Sequence, residues 1–191
     1  MPPMLPVTKA LMLLCVGVFC LGKLWPGPLI WLALFPLGSG AFMPWQLLSY
    51  AFLHGDVLHL FFNMLGLWMF GTELERVLGQ KRYIQLLLAG VLSAALVQMI
   101  FTAAIGSMVP TVGASGALFA LLLCFGMLFP DRVIMPLFPP IPMKAKVFVA
   151  VFGGLELLMG LTGGQGVAHF AHLGGMLGAY ALMTYWRKAR R

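Results

Sequence analysis

At 191 residues, 61% of them apolar and 9% charged, the chain has too little polar surface to coat a soluble domain. The net charge of +7 does not point to a nucleic-acid partner. The basic residues fall between and after apolar runs instead of along one face, the placement that sets membrane topology. These bounds give a polytopic, all-α membrane protein: about six short spans in one compact domain over residues 1–191, with no appended soluble domain.

The first apolar stretch, residues 7–25, carries Lys9 near its start and Lys23 near its end. It has the look of a signal peptide, but no small-x-small cleavage site follows, and both lysines can snorkel to the headgroups. It is read as the first helix. Residues 29–42 are apolar too but broken by Pro36 and Gly38-Ser39-Gly40, which suits a re-entrant or interfacial segment. They belong to a long first loop, residues 26–56, in which Trp45 and Tyr50 are aromatics of the kind that settle at a membrane surface. Further spans are expected at residues 57–75, 83–105, 115–129, 147–161 and 167–186, with Gly- or Pro-containing turns between them.

With a cytoplasmic amino terminus, Lys9, Arg76, Lys81, Arg82, Arg132, Lys144, Lys146 and the closing Arg187-Lys188-Ala189-Arg190-Arg191 all share the cytoplasmic side. Only Lys23 falls outside, and the carboxyl terminus is cytoplasmic as well. Cys15, Cys20 and Cys124 sit within expected spans, where small thiols pack, so no structural disulfide is expected. Composition and the lack of organelle-targeting features point to a bacterial cytoplasmic (inner) membrane, and nothing in the sequence sets an oligomeric state.

Chemistry concentrates at the non-cytoplasmic side. A Gly113-Ala114-Ser115-Gly116 turn opens the fourth span, and His172 lies early in the sixth within Ala171-His172-Leu173-Gly174-Gly175. A helix amino terminus offers unpaired N–H groups and partial positive charge to an oxyanion formed when Ser115 attacks a carbonyl. Gly113 and Gly116 permit close backbone approach, although a Gly-x-Ser-Gly string alone is common packing between membrane helices. Gly174, Gly175, Gly178 and Ala179 form a small-residue face that lets the His172 helix come close enough for the imidazole to take the serine proton.

His59 and Asn63 stand at i, i+4 on one face of the second span, either as oxyanion donors beside the Ser115 N–H or as interhelical glue. Glu73 and Glu75 lie toward the cytoplasmic end, so no acid offers itself as a third member and a Ser-His dyad is the economical reading. Glu156, inside span five, is read as structural, and His169 as a polar residue at the helix mouth. A metal site built from His54, His59, His169 and His172 is the competing constellation. The chain lacks His-Glu-x-x-His, Cys-x-x-Cys and paired-carboxylate patterns, so neither metal nor cofactor is expected.

Taken in order, His54-x4-His59-x3-Asn63, Gly71-x3-Glu75-x3-Gly79, Gly113-x-Ser115-Gly116 and Ala171-His172-x2-Gly175 closely resemble the rhomboid family of intramembrane serine proteases, over residues 45–181. The resemblance implies a six-helix rhomboid-like bundle of the basic bacterial type. It further implies Ser115 as nucleophile, His172 as general base and then acid, and Ser115 N–H, His59 and Asn63 at the oxyanion. Gly113, Gly116, His54, Phe119 and Gly175 would support the site. Two departures stand out: Gln46 where many relatives have arginine, which bears on how the long loop is anchored, and Phe119 where some have tyrosine.

The reaction implied is hydrolysis of a peptide bond in or beside the transmembrane segment of another membrane protein, within the lipid bilayer, through an acyl-enzyme. A non-proteolytic relative that binds membrane helices is the alternative. A small transporter or metal carrier is a third reading, and each predicts a different consequence of Ser115→Ala.

Overall fold

The computed structural model describes residues 4–136, 140–162 and 168–189. Val167, where the last span was expected to begin, and Arg190 and Arg191 of the basic tail lie outside the described residues. The chain folds as an all-helical bundle. Helix α1 (Pro6–Leu24) is followed by the short α2 (Pro26–Leu29) and α3 (Gln46–Ser49), then α4 (Val57–Gly66). A π-helical turn, Leu67–Gly71, leads into α5 (Thr72–Ile105), and α6 (Ser115–Leu128), α7 (Ala145–Leu161) and α8 (His169–Lys188) complete the bundle. Between α6 and α7 a small antiparallel ribbon pairs β1 (Val133–Ile134) with β2 (Met143–Lys144).

Among the described residues, two helical runs, Pro6–Leu24 and Val57–Ile105, are long and apolar enough to cross a membrane by length and composition. The second does not run straight. Gly79 adopts φ 73°, ψ 161°, conformations a helix cannot contain, and the chain folds back on itself there. Thr8 shows this directly, because its hydroxyl donates to Glu75 Oε2 at 2.8 Å and accepts from the Tyr83 hydroxyl at 3.1 Å, bridging residues on the two sides of Gly79. Glu75 is 2% exposed and also accepts the backbone N–H groups of Val7 and Thr8, so it caps the amino end of α1 and holds that helix to α5.

Polarity runs inward. Glu75, Gln98 and Thr102 are buried, while Leu13, Leu96, Ile100, Leu158 and Leu177 are exposed on the outside of the bundle. That inversion of the soluble pattern suits a protein whose outer face meets lipid, where apolar surface carries no penalty and polar groups must find partners inside.

Helix α6 is buried nearly all round and forms the axis against which α5 and α8 pack. Small residues set these contacts. A Cβ at Gly90 would lie 2.5 Å from that of Ala120, one at Gly116 2.5 Å from that of Ala94, and one at Gly174 2.8 Å from the Ser93 carbonyl oxygen. At Gly175 a Cβ would overlap the Gly116 carbonyl itself, so α8 touches α6 backbone to backbone. Helix α7 is peripheral, burying only Ala145, Phe148 and Val149.

The long first loop is held from within by Gln46, which is fully buried. Its Oε1 accepts from the N–H groups of Phe35 (3.2 Å) and Met43 (3.1 Å), and its Nε2 donates to the carbonyls of Trp31 (3.1 Å) and Ala41 (3.2 Å). Four backbone contacts from one neutral amide thus anchor the segment. Leu34 and Thr111 exchange backbone hydrogen bonds of 3.0 and 2.9 Å, tying the loop to the approach of α6. At the other end of α6, Arg132 meets Glu73 at 3.1 Å, and Lys144 and Lys146 meet Asp131 at 3.1 and 2.9 Å. The basic cluster and the Ser115 end of α6 are therefore ~20 Å apart, a helix of this length rising ~1.5 Å per residue.

Candidate active site

Ser115 is the first residue of α6, preceded by a turn that only glycine can make in comfort. Gly113 has φ 124°, and its N–H donates to the Tyr50 carbonyl at 3.0 Å. The Tyr50 hydroxyl in turn donates to the Val91 carbonyl at 2.8 Å, so loop, turn and α5 are locked together beneath the serine.

His172 lies one turn into α8, buried, with Nε2 2.7 Å from Ser115 Oγ. Backbone contact at Gly175 makes this approach possible, since a larger residue there would hold α8 away from α6. Phe119, one turn after Ser115, stacks on the imidazole with ring centroids 4.4 Å apart and planes 7° from parallel, fixing the ring's tilt. The serine and histidine singled out in the sequence are thus in hydrogen-bond contact, and Phe119 and Gly175 lie where they would support them.

His59 and Asn63 approach from α4. Asp56 caps that helix by accepting from the His59 N–H at 2.8 Å. The His59 ring lies over Gly113: a Cβ on that glycine would be 2.7 Å from His59 Nε2 and 3.7 Å from Ser115 Oγ. Asn63 is turned along its own helix, with Nδ2 donating to the His59 carbonyl at 2.8 Å. Its Oδ1 is buried with no partner among the described residues.

His54 packs edge-on against His59 with centroids 5.1 Å apart, and both its ring nitrogens are buried without partners among the described residues. Burial, reinforced by the neighbouring His59, holds its imidazole down to about 4. His54 is therefore a neutral ring wedged beside His59.

Two features escaped the sequence reading. His169 is the first residue of α8 yet only 4% exposed, so the helix mouth it occupies is covered by protein. Glu156 from α7 reaches both α8 histidines: Oε2 is 2.6 Å from His169 Nδ1 and 2.8 Å from His172 Nδ1. The first contact has full hydrogen-bond geometry, whereas the second has the length but a less favourable angle. The signal was present in the i, i+3 spacing of the two histidines and an isolated acid in an apolar helix, but nothing local joins α7 to α8. These three donors also lie within 4.8 Å of one another, close enough to share a cation.

The model of the Rhomboid domain matches residues 41–189, the segment that carries every side chain just described. The chain is 34% identical over 147 residues to "Rhomboid protein 1, mitochondrial" of Saccharomyces cerevisiae, covering 75% of this chain and 42% of that protein. It is 30% identical over 192 residues to "Rhomboid protease GlpG" of Serratia proteamaculans, covering 97% and 64%. With "Presenilin-associated rhomboid-like protein A, mitochondrial" of Danio rerio it shares 29% over 144 residues, covering 72% and 38%. The chain thus spans less than two thirds of the length of these relatives. With the matched domain covering most of its length and the bundle built around that segment, this chain belongs to the rhomboid family.

Proposed function

We propose that the chain is an intramembrane serine endopeptidase that cleaves transmembrane segments of other membrane proteins near the non-cytoplasmic face. The observation that carries this reading is the 2.7 Å contact of Ser115 Oγ with His172 Nε2 at the buried start of a helix. Ser115 loses its proton to His172 as Oγ bonds to the scissile carbonyl carbon. The tetrahedral oxyanion is met by the Ser115 N–H, by His59 and by Asn63, whose Nδ2 carries a second N–H beyond the one on the His59 carbonyl.

As the C–N bond breaks, His172 returns the proton to the leaving amine and an ester remains on Ser115. Water, deprotonated by His172, then releases the acid and restores the serine. Gly116 gives its open side to α5 and Gly113 gives its own to the His59 ring, so the two glycines serve the packing of the site, while Phe119 steadies the imidazole and His54 buttresses His59. A helix hides its carbonyls in its own hydrogen bonds, so susceptible segments should carry small or helix-breaking residues close to the cleavage site.

In this reading the chain crosses the membrane six times within one domain. The termini and the Arg132, Lys144 and Lys146 cluster face the cytoplasm, Ser115 lies near the opposite face, and the membrane is a bacterial inner membrane. The charge distribution and the separation of the two ends of α6 support it. The test is reconstitution in liposomes with a panel of fluorescently tagged single-span substrates. Cleavage in or beside the span by the wild type and none by Ser115→Ala is expected; binding of such spans with identical product levels from both proteins would replace the protease with a helix-binding protein.

A further inference from the structure

Resting on that reading, we infer that Glu156 is a positioning residue: it holds His172 with its proton on Nδ1, leaving Nε2 as the acceptor that faces Ser115. The site is then a serine and histidine assisted by a carboxylate from a third helix. The geometry carries this further than the sequence could. One carboxylate oxygen stands 2.6 Å from His169 Nδ1 and 2.8 Å from His172 Nδ1, on a side chain only 14% exposed.

Hydrogen positions follow from what can coexist at those distances. Two ring nitrogens bearing lone pairs would repel an ionised oxygen, and a protonated carboxyl could donate to only one of them and would still need an N–H from the other. An ionised Glu156 accepts the His169 N–H in a full hydrogen bond and favours a hydrogen on His172 Nδ1, 2.8 Å away, whose angle falls short of a hydrogen bond in this structure. That choice places a lone pair on His172 Nε2, 2.7 Å from the serine oxygen, the tautomer a general base requires. It also leaves His169 Nε2 as an acceptor, the atom found buried without a partner among the described residues.

His169 then acts on Glu156 and not on Ser115. Its full hydrogen bond fixes the carboxylate against His172, whose own contact with the acid is less well aligned. When Ser115 Oγ–H gives its proton to Nε2, the resulting imidazolium keeps its Nδ1–H on the carboxylate, which stays ionised throughout. The titratable groups facing His172 are His169 on its own helix, Glu156 from α7 and His59 from α4, and among them only Glu156 can supply negative charge.

The experiment uses the whole 191-residue chain in detergent, labelled with 15N-histidine, alongside Glu156→Gln and His169→Asn. Two quantities are read: the rate of Ser115 acylation by a fluorophosphonate and the 15N shifts that report the His172 tautomer. Expected are a neutral, Nδ1-protonated His172 in the wild type and an acylation rate lowered at least ~10-fold in Glu156→Gln. That is less than the ~10⁴-fold typical of a fully aligned carboxylate. The His172 tautomer should become mixed in that variant, and His169→Asn should give a smaller loss in the same direction.

An Nε2-protonated His172 in the wild type, or wild-type acylation by folded Glu156→Gln, would overturn the inference. Should Glu156→Gln fail to fold, the wild-type tautomer decides alone. Absence of Ser115 acylation in the wild type would refute the protease reading, while the tautomer would still report on the Glu156 contact.

Discussion

Gly175→Ala concentrates the packing argument in a single methyl group. The added Cβ would overlap the Gly116 carbonyl oxygen and crowd the Gly116 Cα, 3.1 Å away. Both belong to the backbone of a helix buried nearly all round, so neither can swing aside as a flexible side chain would. Relief requires α8 to back away from α6 by about 1 Å, and overpacking of this kind costs ~1–3 kcal/mol. The same displacement would stretch the 2.7 Å contact of His172 with Ser115 beyond hydrogen-bond length, and misplacement by about 1 Å can cost ~10²-fold in rate.

The assay pairs thermal unfolding in detergent with fluorophosphonate labelling kinetics, using Gly17→Ala as the control because a Cβ there meets nothing within 4 Å. Gly175→Ala should lose stability by ~2 kcal/mol and label at least ~10-fold more slowly, while the control keeps both. Wild-type stability and labelling in Gly175→Ala would refute the claim that backbone contact at this point sets the site.

Gln46→Ala should lower stability by ~3 kcal/mol, read by chemical or thermal unfolding, because two backbone N–H groups and two carbonyls of the first loop lose their partner together. Glu75→Gln should cost ~2 kcal/mol in the same assay, since an amide keeps one acceptor oxygen where the carboxylate uses two against Val7 and Thr8. For His54 the folded protein resists a proton that the unfolded chain takes up at the ordinary 6.5, so its contribution is complete above that pH and is lost as pH falls towards about 4. Stability of the wild type should therefore decline by up to ~3 kcal/mol across that interval, and His54→Gln should show a shallower slope over the same range.

Long apolar runs and the Gly and Pro punctuation between them make helices legible without a structure, because lipid leaves the backbone few alternatives. The meeting of Ser115 with His172 was legible for a related reason: glycine at Gly175 has no use on a lone helix but admits a close neighbour. Gln46 was visible only as a departure from arginine, since its four partners are backbone groups whose positions depend on the folded loop. Glu156 was visible as a costly residue without an address. Its contacts cross from a peripheral helix to α8, and a single sequence holds no record of which faces of two helices meet.

Mapping a fluorophosphonate adduct on the purified protein reads out whether the serine at the start of α6 is activated. Mass spectrometry should place the adduct on Ser115 in the wild type, with none in Ser115→Ala and none in folded His172→Ala. An adduct elsewhere, or labelling of Ser115 that persists at the wild-type rate without His172, would contradict that activation.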